Sequence, residues 1–141
     1  MSDLYELQLA WELDDTLPGE VLDELRWHLG LRPPAGSDLD REPLLALQGG
    51  ALRIGGILGS EFQPGERGWY LAARQELHAQ ELPDLYELLS SVAPYAVTTD
   101  PVGQLRHYED DIADLLLVHG GTVVRQPQHP ADAQPAPSLN A

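Results

Sequence analysis

The chain has 141 residues, no cysteine and a formal net charge of −15, and all 8 of its basic residues are arginine. That length suits one hydrophobic core. The missing residues exclude disulfides, thiolate chemistry, Schiff-base lysines and phosphate-loop lysines. So acidic a balance also opposes nucleic acids and anionic membranes, because proteins that bind them concentrate positive charge.

An apolar fraction of 43% is that of a globular chain, so the body is expected to fold. The start of the chain lacks the basic-then-apolar pattern of a signal peptide. Its longest apolar run falls well below the about 18 residues of a membrane helix. The expected location is the cytoplasm, with no membrane and no nucleic-acid partner.

In chain order, Tyr5, Leu7, Leu9, Trp11 and Leu13 alternate with Glu6, Gln8 and Glu12, the period of a strand buried on one face. Asp14, Asp15 and Thr16 offer helix-capping oxygens, and Pro18 suits a first helical turn. Val21, Leu22, Leu25 and Leu29 follow at helical spacing, and Gly30 supplies a stop. Residues 31–43 are rich in Pro, Gly and Asp and are expected to form a loop. A second extended stretch is expected over 51–62, weakened by Gly55, Gly56 and Gly59. The turn at 64–68 leads into a third strand over 69–78.

A second helix is expected from Pro83, with Leu85, Leu88, Leu89 and Val92 on one face and Pro94 at its end. Three further strands, 102–108, 115–119 and 122–125, form a meander turned by Gly120 and Gly121. Residues 1–125 are expected as one α+β domain, and 126–141, with its prolines, as a disordered tail. The order β-α-β-β-α-β predicts a ferredoxin-like split βαβ antiparallel sheet with an appended C-terminal β-hairpin. Helices would cover the face holding Leu7, Leu9, Trp11, Leu71, Ala73 and Leu77, leaving the alternate residues on an open face.

That open face is expected to show Tyr70, Arg74, Glu76 and His78 beside Glu6, Gln8 and Glu12. The last strand of the unit adds either Arg106 with Tyr108 or His107 with Glu109, according to register. Arginine, histidine and tyrosine among carboxylates suit a small polar ligand or a gripped partner, and an ordinary solvated face carries the same residues. Glu76, His78, His107 and the 109–111 acids have no diagnostic metal spacing, so neither metal nor cofactor is expected. His28, near the end of the first helix, suits an interaction with the helix dipole. Trp27 lies off the helix's apolar stripe and is the candidate interface anchor.

No nucleophile elbow and no dinucleotide-binding glycine motif is present. Acid–base chemistry by histidine or carboxylate stays open, so enzymatic activity is undecided. The leading expectation is a small non-enzymatic interaction module whose partner is a basic protein or a second copy in a homodimer. The alternative is a small-molecule-binding or acid–base enzyme with its pocket on the open face, where Arg74 would hold an anion, His78 or His107 would move the proton and Tyr70 would orient the ligand.

Overall fold

The computed structural model describes residues 3–32 and 42–128. β1 (Leu4–Asp14) is followed by α1 (Gly19–His28), β2 (Gly49–Gly50), β3 (Ile57–Pro64) and β4 (Gly68–His78). Then come α2 (Leu82–Val92), β5 (Gly103–His107), β6 (Asp114–His119) and β7 (Thr122–Gln126). No helix among the described residues is long and apolar enough to cross a membrane.

The seven strands form one antiparallel sheet in the order β2-β3-β4-β1-β5-β6-β7. This corrects the expected ferredoxin-like unit with an appended hairpin, although the chain remains α+β. The physical reason lies in the backbone just ahead of β5. Val102 N–H donates to the Leu116 carbonyl, and Val118 N–H donates to that of Thr99, each at 2.8 Å. The outer backbone of this region is therefore consumed by β6, and the meander extends the sheet instead of sitting beside it. At the opposite end, Gly49 and Gly50, which alternation does not mark as a strand, pair with Leu58 and Ile57 and add a seventh strand.

Local chemistry sets the element boundaries. Asp14 does not cap α1; its Oδ1 accepts the Thr16 N–H at 3.0 Å and closes the turn before the helix. Pro18 takes the position ahead of α1 in an extended conformation. The helix stops at Gly30, whose φ of 77° lets Leu31 N–H reach back to the Arg26 carbonyl. Pro83 stands in the first turn of α2, where its missing N–H costs nothing, and Pro94 falls in the single 3-10 turn that follows. β3 begins at Ile57, six residues later than expected, because Gly55 and Gly56 adopt φ of 81° and 73° in a loop.

One face of the sheet carries the core. Leu7, Leu9, Trp11, Leu71, Ala73 and Leu77 are buried there, packed with Leu25 of α1, Leu85, Leu88 and Leu89 of α2, and Leu105 and Leu116 of the meander. Gln75 lies within this face and is wholly buried. Its Oε1 accepts the Leu47 N–H at 3.0 Å and its Nε2 donates to the Leu47 carbonyl at 3.0 Å, so one amide satisfies a passing strand-like segment as backbone would. His28 anchors the same stretch of chain. Its Nδ1 accepts the Leu44 N–H at 3.2 Å, its Nε2 faces Glu24 at 3.3 Å, and its carbonyl accepts from Leu45. The imidazole thus acts as a hydrogen-bonded latch between α1 and 44–45 as well as standing at a helix end. Most of the expected loop over 31–43, and residues 129–141 of the expected tail, lie outside the described residues. β7 itself runs to Gln126.

Candidate interaction surface

The second face of the sheet is built from the alternate residues of the same strands, because side chains point to opposite sides in turn. The β1–β4 register sets Glu6 opposite Glu76, Gln8 opposite Arg74, Ala10 opposite Ala72 and Glu12 opposite Tyr70. On the other flank of β1, Glu6 faces Arg106 and Gln8 faces Gln104. The continuing ladders add Leu115 beside Gln104, Leu117 beside Val124, and Glu61 beside Ala72. Register therefore puts Arg106 on this face and His107 on the helix-covered side, opposite Tyr5.

At one end of the face the charges are knitted together. Glu6 Oε2 accepts from Arg74 Nε at 2.8 Å and from Gln8 Nε2 at 2.9 Å, while Glu6 Oε1 accepts from Arg106 Nε at 3.0 Å. Burial pushes this carboxyl up, but the hydrogen bonds from Gln8 and Arg106 and the charge of Arg74 outweigh it and hold it below the ordinary glutamate range. Arg74 also donates from Nη1 to the Ile57 carbonyl, and Arg106 from Nη1 to the Asp110 carbonyl at 2.7 Å. Both guanidinium groups thus tie loops down onto the sheet end.

Glu76 works in the same way through backbone. Its carboxylate accepts the N–H groups of Leu52, Arg53 and Ile54 at 2.8, 2.8 and 3.1 Å, folding the 51–56 loop against the sheet. Burial raises this carboxyl too, and the three N–H groups and nearby His78 carry it below its ordinary value. Gly56 is required here, since a Cβ would come within 3.1 Å of Arg74 Nη1 on a backbone already at positive φ. The Arg53 guanidinium then lies 5.7 Å from the Tyr108 ring, joining this loop to the one after β5.

Beyond that end the described residues leave the face uncovered. Ala10 is exposed, and Gln8, Ala72, Gln104 and Leu115 are half-buried. A shallow groove of about 500 Å³ runs over Gln8, Ala72, Arg74 and Gly59, with Glu61 on its border. A neighbouring one of about 270 Å³ runs over Gln8, Ala10, Gln104, Pro101 and Leu115. Between them the two grooves have a floor of small side chains, two amides and one leucine, with Arg74, ion-paired to Glu6, at one end of the larger. Carboxylates share this face, Glu61 on β3, which lines the first groove, and Glu12 beside Tyr70, while Glu109, Asp110 and Asp111 stand in the loop after β5 that Arg106 holds.

The structure thus brings Arg74, Glu76 and Arg106 together around Glu6, with Tyr70 farther along the same face. His78 closes β4, where its backbone N–H donates to Glu81 Oε1 at 2.8 Å. His107 stands apart on the other face, edge-on to the Tyr5 ring at 5.2 Å and 3.4 Å from Asp3 Oδ1. Trp27 is only 5% exposed, packed 4.5 Å from the His28 ring, so it presents no anchor at the surface. Among the described residues no three His, Asp or Glu side chains are arranged to hold a metal ion. Sequence reasoning missed the 51–56 loop as the cover for one end of the face, and the exposed Leu47, Leu52 and Ile57 around it. The paired glycines at 55 and 56 were the available signal. No family model, curated protein or solved structure matches this chain.

Proposed function

We propose that this protein is a non-enzymatic interaction module that holds a basic, extended segment of a protein partner on its uncovered sheet face. The carrying observation is the contrast on that face between an accessible floor, Gln8, Ala10, Ala72, Gln104 and Leu115, and the carboxylates Glu61 and Glu12 set on the same face. A flat floor of small and amide side chains admits a peptide backbone closely. Glu12, Glu61 and the 109–111 acids supply a negative field that steers cationic chains toward it.

The groups that an acid–base site would use are otherwise engaged. Glu6 and Glu76 are held ionised by their hydrogen bonds, which suits anchoring and not proton transfer. Arg74 spends Nε on Glu6 and Nη1 on Ile57, leaving a structural tie where an anion clamp would need a free fork. His107 and His78 do not share a face near one another.

Titration of the ¹⁵N-labelled protein with a Lys/Arg-rich extended peptide tests this. Saturable shifts centred on Gln8, Ala10, Ala72, Gln104 and Leu115 are expected. Shifts confined to the acidic loop 109–111, or no saturation, contradict the reading.

A further inference from the structure

We propose that the outer edge of β7 pairs with β7 of a second copy of this chain, antiparallel about a two-fold axis at Val124. The proposal concerns a different surface from the docking floor and does not depend on it.

β7 ends the strand order, and among the described residues no strand pairs with its outer side. Which backbone groups point outward follows from the ladder. Leu116 and Val118 turn their backbone groups toward Val102 and Thr99, so Leu115, Leu117 and His119 turn theirs toward β7. Their partners Gln126, Val124 and Thr122 therefore use their backbone inside the sheet, and Val123 and Arg125 direct theirs to the open edge. In an antiparallel pair centred on Val124, Val123 of one copy faces Arg125 of the other. That register satisfies the outward N–H and C=O of both residues on both strands, and it is the symmetric register a two-fold axis demands.

The side chains agree. Edge strands ordinarily avoid such pairing with outward charges, proline or bulges, and β7 has none of these within its 5 residues. Its only charge, Arg125, is turned inward, donating to Asp114 Oδ2 at 2.7 Å and to the Tyr86 hydroxyl at 2.8 Å. Val124 is 41% exposed. It lies beside Leu117 on the uncovered face, so the pairing makes an apolar seam from one Leu117 to the other.

Charge selects a second copy over a basic partner at this place. In a chain of net charge −15, residues 112–128 carry one Asp and one Arg and are neutral overall. The carboxylates of α2, Asp84 and Glu87, line the cleft beside α1 instead. Two copies can thus approach here without the repulsion they would meet elsewhere. A two-fold axis through the sheet would set both uncovered faces on the same side, doubling the length of the docking floor. A contact this short buries less than a standard interface, so the dimer is weak and concentration-dependent.

The absence of native cysteine makes the test clean. Across a non-hydrogen-bonded antiparallel pair the Cα atoms stand about 4.5 Å apart, within the roughly 4.4–6.8 Å range of disulfides. The full chain carrying Val124→Cys is expected to cross-link under mild oxidation roughly tenfold faster or more than Leu52→Cys, because pairing raises the local thiol concentration. Leu52, at 83% exposure, is the fair control for random collision. Equal rates, or no cross-linking at Val124, overturn the proposal. Val124→Asp sets two carboxylates against each other and is expected to abolish the dimer seen by sedimentation across a concentration series, with an unchanged unfolding midpoint. A dimer fraction that survives it overturns the proposal, and if that variant fails to fold, the cysteine pair decides. A strictly monomeric protein that still binds the basic peptide sinks this inference and leaves the docking reading standing.

Discussion

The two faces of the sheet are made by the same strands and do opposite work. Along β1, Leu7, Leu9, Trp11 and Leu13 are almost wholly buried under the helices, whereas Gln8, Ala10 and Glu12 one step away remain accessible. The covered face is held by apolar burial, which is non-directional and large. The other is held at one end by a few ionic ties and is left bare elsewhere. Stability is concentrated on one side of the sheet, and the freedom to accept a partner on the other.

The largest effect is expected from the covered face. Leu105→Ala, at a fully buried site between β1 and β6, should cost about 2–5 kcal/mol in denaturant unfolding through lost burial and a cavity. A backbone version comes next: Gly103→Val would drive a Cβ into the Gln8 carbonyl oxygen across the β1–β5 ladder. It should cost about 1–3 kcal/mol or more and loosen hydrogen-exchange protection along β5. If either variant is neutral, the two faces do not divide the work as described.

On the opposite face, Glu6→Gln should cost about 1–3 kcal/mol, because Arg74 and Arg106 lose a charged acceptor in a half-buried setting. Acid sharpens the same point. Glu6 and Glu76 both have folded values below the ordinary 4.5. Their contribution is therefore fully present above about pH 4.5 and is lost as pH falls through the lower folded values. Wild-type stability should fall over that acid window, and the Glu6→Gln variant should show a shallower decline. Parallel declines would mean that Glu6 makes no such contribution.

Much of this contrast was legible in the strand period. Tyr5 to Leu13 show it directly, and the same alternation at 69–78 assigns Arg74 and Glu76 to the face of Gln8 and Glu6. Sheet extent was not legible, because periodicity marks strands but not their neighbours: nothing local in Leu116 says that it will take the Val102 N–H. The period also sets Glu76 on the face of Glu6, but its partners are backbone N–H groups of 52–54, which have no side-chain signature. Gln75 and Trp27 have settings that cannot be read from residue type alone. One is a polar residue buried because its amide imitates backbone, and the other is an indole off the helix stripe that packs against His28. The choice between Arg106 and His107 needed the register with β1, which pairs Glu6 with Arg106.

The smallest expected effect on stability falls at the middle of the bare face, and there the largest effect on binding is expected. Ala10→Tyr places a neutral, strand-favouring side chain on the floor without touching the core, so its unfolding free energy should stay within about 0.5 kcal/mol of wild type. Calorimetric titration of this variant with the Lys/Arg-rich peptide asks directly whether the bare face holds the partner. Loss of the binding heat with the fold intact is expected; unchanged affinity would show that the uncovered face is not where the partner sits.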